Sequence, residues 1–451
     1  MKKRILYSCV GMALTANLVI GAFIFVLSAK AADKSEVYEQ MLLFSSVIEK
    51  VRKEYVDGDK LTYSELVTGA LKGMLNTLDP HSEFLDPRKY SDLQDDTEGE
   101  FGGIGINISM RGEALIVVTP LDESPAAKAG VLAGDRIIKI NGESTDRILR
   151  IDPTDPEVRP DLSKAVEKLR GKPGTDVTIT IARSNVAEPK DFKLTRAVIK
   201  VASIKDIDGK SAFPLDENKV GYALVTQFGE QTTRDLKSAL KKLTDQGMQG
   251  LVLDLRDNPG GLLDQAVSVC DLFLPSGRLI VTTEGQSADS RKRFNATGRD
   301  EYPNVNIVVL VNGGSASAAE IVAGCLQDSG RAFIMGEQTF GKGSVQSILP
   351  LQGGGGGAAL RLTTAKYYTP SHKVIHEKGI TPDSIVEMSL DLDAALARKR
   401  QGGDMSDLDP TMRERVRNAK DLQLERAVDF LKAFQVYKGH APLQLNAPRA
   451  G

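Results

Sequence analysis

The stretch "NVNIVVLVNGGSASAAEIVAGCLQDSG", residues 304–330, decides the fold expected for the second half of the chain. An apolar run, a turn of two glycines and two serines, and a second apolar run follow one another directly. A continuous apolar run indicates a strand covered on both faces, and the second run predicts a helix. The stretch therefore predicts a strand–turn–helix unit of a parallel sheet, with Ser315 and Ser317 at the turn.

Two similar units precede this stretch. The segments "VGYALVTQF" (220–228) and "GLVLDLRDNPGG" (250–261) are typical of strands, and each is followed by a helical pattern. Strands that alternate with helices indicate βα crossover units with both sheet faces covered. We therefore predict an α/β core domain over residues 186–390.

Residues 98–185 show a different pattern of short alternating strands. An amphipathic helix, "DLSKAVEKLRG" (161–171), and a closing strand, "DVTITIAR" (176–183), end the region. Short strands around two helices predict a small, partly open barrel. We predict a helical region over 36–97 before the barrel. A linker, a helix at 421–434 and a tail are expected over 391–451.

Composition sets broad limits on function. The formal net charge is −2, so no global basic field points to a nucleic-acid partner. The three cysteines, Cys9, Cys270 and Cys325, form neither a CxxC pair nor a metal-ligand spacing. We predict no metal and no other cofactor, while a Cys270–Cys325 disulfide stays open for an oxidising compartment.

The N-terminus predicts export. Lys2, Lys3 and Arg4 precede an apolar run over residues 5–27, and Ala29-Lys30-Ala31 fits a small-x-small cleavage site. The run is also long enough to cross a bilayer as a helix. Residues 1–31 are therefore either a cleaved signal peptide or an uncleaved membrane anchor. Both alternatives place the rest of the protein in the periplasm or another extracytoplasmic space.

The helix after this segment carries a heptad-like stripe. Its apolar positions are separated by steps of four and three residues: Val37, Met41, Phe44, Ile48, Val51 and Tyr55. Such a stripe either packs on its own domain or forms a seam between two copies. We therefore consider a homodimer through helices 36–55 and 421–434.

The serine turn has the setting of a nucleophile elbow, in which a sharp strand-to-helix turn exposes a hydroxyl. The N–H groups at a helix N-terminus favour a developing oxyanion. The alternative is that Ser315 or Ser317 only caps the helix. A nucleophile needs a base, and His81, His372, His376 and His440 stand in no recognisable Ser/His/Asp order.

A lysine can serve as the base if burial lowers its pKa. Lys342 lies in "TFGKGSVQSILPL" (339–351), where a glycine turn enters a strand. Strand alternation would place Lys342, Ser344 and Gln346 on one face, so that Gln346 could orient the lysine by a hydrogen bond. The alternative is a solvated lysine in a turn.

Several ordered motifs resemble the carboxy-terminal processing, or tail-specific, peptidases over roughly residues 36–434. The motifs are "LDPHSEFL" (78–85), "GEFGGIGI" (99–106), "LDLRDNPGG" (253–261), "SASAAEI" (315–321), "GEQTFGKGSVQ" (336–346) and "LRLTTAKYYTPS" (360–371). The resemblance implies a multidomain fold of mixed α+β and α/β type. It also implies a PDZ domain that recognises substrate C-termini and a crotonase/Clp-like α/β core with serine–lysine endopeptidase activity.

The resemblance also implies the site residues. The nucleophile is the second serine of the motif, Ser317, and the base is Lys342, 25 residues later. Gln346 matches the family's third member. The oxyanion hole would use the N–H of Ala318 and that of a glycine in the NPGG turn. Gly260 and Gly261 are both candidates, with Gly261 favoured.

Asp257 stands where the family often has asparagine, one step ahead of that turn. A carboxylate there would oppose an oxyanion if it pointed inward. We therefore expect Asp257 to face outward.

The PDZ region predicts a peptide groove. A C-terminal peptide can add as a strand beside "GIGINIS" (103–109) and lie against the helix at 162–169. The residues that would bind its carboxylate or last side chain are Gly102, Gly103, Ile104, Gly105, Ile106, Val166 and Leu169. The alternative for the apolar members is plain barrel core.

Two function classes follow. The first is an exported endopeptidase whose partners are proteins with accessible C-termini; a separate hypothesis, about its regulation, is that the PDZ domain holds the site closed until a peptide or an activating adaptor binds. The second is a peptide-binding module of the same fold without a protease role. The presence of both Ser317 and Lys342 favours the first.

Overall fold

The computed structural model describes residues 37–121, 123–149, 161–183, 186, 188–298, 300–351, 357–401 and 409–439. The predicted export segment, residues 1–31, lies outside the described residues, as does most of the C-terminal tail. Within the described ranges, no helix combines the length and the apolar character that crossing a bilayer requires. The chain divides into two compact units between Asp86 and Pro87.

The first unit contains two helices and a short strand. These are α1 (residues 37–54), α2 (Tyr63–Asn76) and β1 (Glu83–Leu85). A capping box starts α2: Thr62 Oγ1 accepts from Glu65 N–H at 3.1 Å, and Glu65 Oε2 accepts from Thr62 N–H at 2.8 Å. On α1, the stripe residues Val37 and Met41 are each 58% exposed. The first part of the predicted stripe is therefore not packed on its own domain.

The second unit begins with α3 (Pro87–Glu98) and the predicted barrel. The barrel elements are β2 (Glu100–Gly103), β3 (Ile106–Arg111), β4 (Ala114–Pro120), α4 (Pro125–Lys128), β5 (Arg136–Ile140), β6 (Glu143–Ser144), α5 (Thr145–Ile148), α6 (Leu162–Leu169), β7 (Asp176–Ala182), β8 (Lys190–Thr195) and β9 (Ala197–Lys200). The main sheet runs β3-β4-β5-β7-β8, and β2 pairs with β9. Alternating residues such as Ile137 and Ile179 fill the interior.

The α/β core follows. Its elements are β10 (Ile204–Lys205), β11 (Val220–Val225), α7 (Thr232–Asp245), β12 (Gly250–Asp254), α8 (Leu263–Asp271), β13 (Leu279–Gly285), β14 (Lys292–Asn295), β15 (Asn306–Val311), α9 (Ala318–Asp328), β16 (Ala332–Gly336), β17 (Ser344–Pro350), β18 (Ala359–Tyr368), β19 (Ser384–Ile385), α10 (Leu390–Gln401), α11 (Pro410–Asn418) and α12 (Leu422–Gly439). The central sheet has the order β10-β11-β12-β15-β16-β19, and all its pairs except β10–β11 are parallel. This is the predicted α/β arrangement.

Helices cover both faces of this sheet. Leu240 of α7, Val269 of α8 and Val322 of α9 are fully buried against one face. Ala427 and Leu431 of α12 are buried against the other face. Most of the apolar stripe of the last helix thus packs inside this protein, which leaves little of it for the dimer seam considered above.

A buried ion cluster ties the end of β12 to the start of α12. Arg256 donates to Asp254 Oδ1 at 2.9 Å through Nε, and to Asp421 Oδ1 at 2.8 Å through a terminal nitrogen. Tyr222 donates its hydroxyl to Asp254 Oδ2 at 2.6 Å. Removing one member of such a cluster leaves an uncompensated buried charge, so the cluster fixes α12 on the sheet.

The carboxyl ends of β12, β15 and β16 share one edge of the central sheet. The NPGG turn (residues 258–261), the serine turn (312–317) and the loop that carries Lys342 (337–343, the lysine loop) follow these three strands in that order. In open parallel sheets this edge is where ligands bind. Strand β17 starts directly after the lysine loop and belongs to a second, antiparallel sheet, in which β17 pairs with β18, β18 with β13 and β13 with β14.

Candidate active site

Ser317 occupies a strained backbone position at the start of α9. Its φ is 54° and its ψ is −112°, in a region that residues with a Cβ rarely adopt. Such strain persists only where surrounding structure enforces it, and it clusters at functional sites. The predicted elbow geometry is therefore present at Ser317.

Ser315 has a structural role instead. Its side chain is fully buried, and its hydroxyl donates to Leu255 O at 2.7 Å while accepting from Asn312 N–H at 3.0 Å. The first bond holds the serine turn against the residue that follows β12, and the second bond lies within the turn. A buried hydroxyl engaged in this way is poorly placed to attack a substrate.

Glu320 joins the serine turn to the lysine loop. Its Oε2 accepts from the N–H groups of Ser317 at 2.8 Å and Lys342 at 2.9 Å. Its Oε1 accepts from Thr339 Oγ1 at 2.6 Å and from Gly341 N–H at 2.7 Å. The carboxyl group is fully buried, and burial raises the pKa of Glu320 despite these four hydrogen bonds. One side chain thus sets the spacing of both predicted catalytic segments.

Our interpretation of the sequence missed Glu320. The available signal was the pattern Ser-x-x-Glu at the start of an otherwise apolar helix, which is the signature of a capping box. That signature predicts a bond from the glutamate to the serine N–H. It does not predict that the carboxylate also binds a loop some twenty residues later in the chain.

Lys342 lies in the lysine loop with its side chain half-buried. Burial is the main cause that lowers the pKa of Lys342, and the positive charge of Arg361 lowers it further. The charge of Glu320 acts in the opposite direction. A lowered pKa is what a lysine base requires, because more of the amine is then unprotonated near neutral pH. Among the described residues, no hydrogen bond joins Lys342 Nζ to Ser317 Oγ.

Replacing Arg361 by glutamine should therefore raise the pKa of Lys342. A lysine base is active when deprotonated, so the rising limb of kcat/KM against pH is expected to move to higher pH. Arg293→Gln makes the same charge change on β14, and Arg293 is not among the charges that act on Lys342. An unmoved limb in Arg361→Gln, beside an unmoved control, would count against Lys342 as the base.

The structure does not form the predicted bond from Gln346 to the lysine. Strand β17 begins only at Ser344, so Lys342 precedes the strand and the alternation argument does not reach it. The Gln346 amide donates to Thr363 Oγ1 at 2.9 Å and to Ser344 Oγ at 3.2 Å. The supporting role of Gln346 stays a prediction.

The NPGG turn lies against the elbow. Asn258 accepts from Ala316 N–H at 2.9 Å through its carbonyl oxygen, and its Oδ1 accepts from Gly260 N–H at 2.8 Å. A Cβ on Gly260 would lie 2.7 Å from Ser317 Cβ, so only glycine fits there. In the part of the chain that the structure describes, the N–H groups of Gly261 and Ala318 have no hydrogen-bond partner.

Asp257 is exposed, as expected. Its carboxylate accepts from Asn312 Nδ2 at 2.9 Å. Its charge is thus held at the surface by the serine turn.

A groove lies in the barrel at most of the residues that the sequence analysis assigns to peptide binding, and its role in binding a peptide stays a prediction. A groove of about 270 Å³ is lined by Phe101, Gly103, Ile104, Gly105, Ile106, Asn107, Ile108, Val166, Leu169 and Arg170. Ile104 and Leu169 also belong to the buried core of the barrel. Within the described ranges, the N–H groups of Ile104 and Gly105 have no hydrogen-bond partner, which suits a carboxylate. A Cβ on Gly105, whose φ is 71°, would lie 2.3 Å from Ser124 Cβ.

One residue that the sequence analysis assigns to the groove does not line it. Gly102 is absent from the lining, because it is paired with Val198 in the β2–β9 ladder and its carbonyl accepts from Gly171 N–H at 3.0 Å. Our interpretation also missed Arg170, whose guanidinium lies 4.5 Å from the centre of the Phe101 ring. Arg170 brings a positive charge to the groove.

The chain is similar to known peptidases. Residues 219–386 match peptidase family S41, and residues 116–183 match the PDZ domain. The carboxy-terminal-processing protease of Bartonella bacilliformis is 44% identical over 397 residues, which cover 86% of this chain and 84% of that protein. The carboxyl-terminal-processing protease of Synechocystis sp. is 34% identical over 400 residues, covering 84% and 88% respectively. A solved photosystem II D1 C-terminal processing protease is 29% identical, with a TM-score of 0.43, and the match covers 77% of this chain and 92% of that one.

Proposed function

Because the chain belongs to the carboxy-terminal processing proteases of peptidase family S41, with a PDZ domain ahead of its protease domain, we propose that Ser317 and Lys342 perform its chemistry. The observation that carries this proposal is the Glu320 carboxylate, which binds the backbone N–H groups of both residues. The fold predicted from the sequence is confirmed by the two domain matches. The alternative of a binding module without enzyme activity does not agree with this family.

In the proposed mechanism, Ser317 Oγ attacks the scissile carbonyl while Lys342 Nζ takes the hydroxyl proton. The tetrahedral oxyanion accepts hydrogen bonds from the N–H groups of Ala318 and Gly261. The C–N bond then breaks, and Lys342 returns the proton to the leaving amine. A water molecule then attacks the acyl carbon while Lys342 Nζ accepts its proton, the ester C–O bond breaks, and Lys342 returns the proton to Ser317 Oγ.

Two features support this assignment of roles. Gly260 N–H is already held by Asn258, whereas Gly261 and Ala318 keep theirs free among the described residues. Ser317, with its strained φ of 54°, is the N-cap residue of α9, so the first N–H groups of the helix follow it directly. A helix N-terminus carries a partial positive charge. Both favour negative charge beside Ser317.

Substrates are selected, in this proposal, by their C-termini. The terminal carboxylate binds the N–H groups of Ile104 and Gly105, and an apolar last side chain lies between Ile106 and Val166. A peptide strand then extends along β3. Arg170, at the groove, adds charge complementary to the carboxylate.

Val166→Ser should weaken binding of a peptide with an apolar C-terminus by about tenfold, because it removes apolar contact area from the groove. Lys164→Ser on the same helix is the matched control and should change the Kd less than twofold. Fluorescence polarisation with a labelled peptide measures both. Equal Kd values for Val166→Ser and wild type would show that the peptide binds elsewhere.

A chain of contacts supports regulation of the active site by the groove. Arg170 donates to Asp96 of α3 at 3.4 Å, and the next residue, Thr97, accepts from Glu230 N–H at 2.9 Å through its carbonyl. Phe228, two residues before Glu230, donates its N–H to Gly260 O at 2.9 Å. We propose that a bound peptide or an adaptor acts through this route on the NPGG turn.

The proposed activity is tested with purified protein and an unfolded protein that ends in an apolar residue. Mass spectrometry should identify internal cleavages by wild type, and a fluorophosphonate probe should label Ser317. The matched substrate carries an amidated C-terminus and should be cut more slowly, because its carboxylate is missing. Absence of cleavage and of labelling under every condition would overturn the proposal.

Two further parts of the proposal concern the state of the protein. The exposed apolar residues of α1, including Val37 and Met41, suit a seam between two copies. Light scattering should give a dimer, and a monomer would contradict this seam.

The charged and apolar N-terminus suits export, so fractionation of cells should recover the protein outside the cytoplasm.

A further inference from the structure

Phe340 is an exposed aromatic residue inside an otherwise well-packed loop. Its side chain is 63% exposed, whereas its neighbours Thr339 and Gly341 are buried. Stabilisation by an apolar side chain scales with the area it buries, so a ring that is mostly exposed contributes little to folding.

The backbone around Phe340 is held on every side. Phe340 N–H donates to Ser315 O at 3.0 Å, and Gly341 O accepts from Glu377 N–H at 2.8 Å. Thr339 Oγ1 donates to Glu320 Oε1 and accepts from Ile380 N–H, both at 2.6 Å. The ring therefore projects from a fixed backbone, and little backbone conformational entropy is lost when it contacts a ligand.

Phe340 also lies next to both proposed catalytic residues. It precedes Lys342 by two residues and is hydrogen-bonded to the residue two positions before Ser317. Two extended residues span about 7 Å, so the Cα atoms of Phe340 and Lys342 lie within that distance. A substrate strand advances about 3.3 Å per residue, so two residues of substrate on either side of the scissile bond span about 7 Å, the same length as the step from Phe340 to Lys342.

We propose that Phe340 is a specificity-determining residue that contacts a large apolar side chain of the substrate within two residues of the scissile bond. The proposal rests on the proposed function, since it presumes cleavage at Ser317. It adds a second selection step to the PDZ groove: the groove binds the C-terminus, and Phe340 selects where the chain is cut.

The test uses internally quenched peptides built on the strongest cleavage site of wild type. At each of the two positions on either side of the bond, a leucine peptide is compared with an alanine peptide. For wild type, kcat/KM should favour leucine by about tenfold in at least one position, the effect expected for burying apolar area. In Phe340→Ala this ratio should fall at least threefold, while fluorophosphonate labelling of Ser317 and the Kd of a C-terminal peptide stay unchanged.

Several outcomes would overturn the inference. They are a leucine preference that Phe340→Ala leaves intact, no preference in wild type at any position, or an equal loss for leucine and alanine peptides. If Phe340→Ala does not fold, Phe340→Gln carries the same comparison with a polar side chain of similar length. Failure of the proposed function is distinguishable, because wild type would then neither cleave nor be labelled.

Discussion

Replacing Ser317 by alanine is expected to reduce peptide hydrolysis by roughly 10⁴-fold or more, because the loss of a nucleophile removes the covalent pathway entirely. The fold should remain intact. Alanine keeps the Cβ, so the strain at φ 54° is unchanged, and the bond from Ser317 N–H to Glu320 is made by the backbone. Activity assays and thermal unfolding of the same preparation measure the two expectations separately.

Ser315→Ala is the matched control for this prediction. It leaves Leu255 O and Asn312 N–H without their buried partner, which costs about 1–3 kcal/mol of unfolding free energy. Fluorophosphonate labelling of Ser317 should persist in Ser315→Ala and vanish in Ser317→Ala. Full activity of Ser317→Ala, or loss of labelling in a stable Ser315→Ala protein, would reverse the assignment of the nucleophile.

The sequence was sufficient for features that local pattern determines. The apolar run of residues 306–311 and the glycines after it predict a buried strand followed by a tight turn, and both are present. The motif spacing selects Ser317 over Ser315. The structure adds an observation that the sequence does not show: the Ser315 hydroxyl is bound to Leu255 O, just after β12, while the role of Ser317 stays a proposal.

Other features depended on contacts between distant segments. Lys342 was expected on a strand, but β17 starts at Ser344. A Cβ on Gly343 would lie 2.1 Å from His376 N, so a loop from elsewhere in the chain packs against this point. The partners of Gln346 likewise depend on the register of β17 against β18, which shifts between Val345 and Gln346. Neither contact leaves a signal in the local sequence.

The last helix illustrates a third limit. Its amphipathic stripe predicts that one face is covered, but an apolar face does not identify its partner. Residues such as Ala427 and Leu431 are covered by the central sheet of the same chain. Only Phe434 of the predicted stripe is exposed enough to face another molecule.

Glu320→Gln is expected to have the second largest effect. A carboxylate accepts all four hydrogen bonds at Glu320, whereas the amide nitrogen of glutamine cannot accept from an N–H group. The amide nitrogen therefore faces either the N–H groups of Ser317 and Lys342, or the Gly341 N–H beside the Thr339 hydroxyl, so at least one buried N–H meets another donor. Each buried group left unsatisfied costs about 1–3 kcal/mol.

The loss of activity should exceed the loss of stability. Displacing a catalytic group by about 1 Å can lower the rate by a factor of about 100, and Glu320 sets the spacing of Ser317 and Lys342. We therefore expect kcat/KM to fall by about 100-fold or more while the protein remains folded. Glu337→Gln, which alters a carboxylate that accepts from Met388 N–H, is the matched control and should keep most activity.

The pH profile separates this role from a merely structural one. The negative charge of Glu320 raises the pKa of Lys342, so its removal lowers that pKa. The rising limb of the residual kcat/KM should consequently move to lower pH, opposite to the shift expected for Arg361→Gln. A limb that stays in place or moves to higher pH would mean that Glu320 does not act on the base. A lower activity together with a limb at lower pH would identify the spacing of Ser317 and Lys342, rather than the basicity of the lysine, as the property that Glu320 supports.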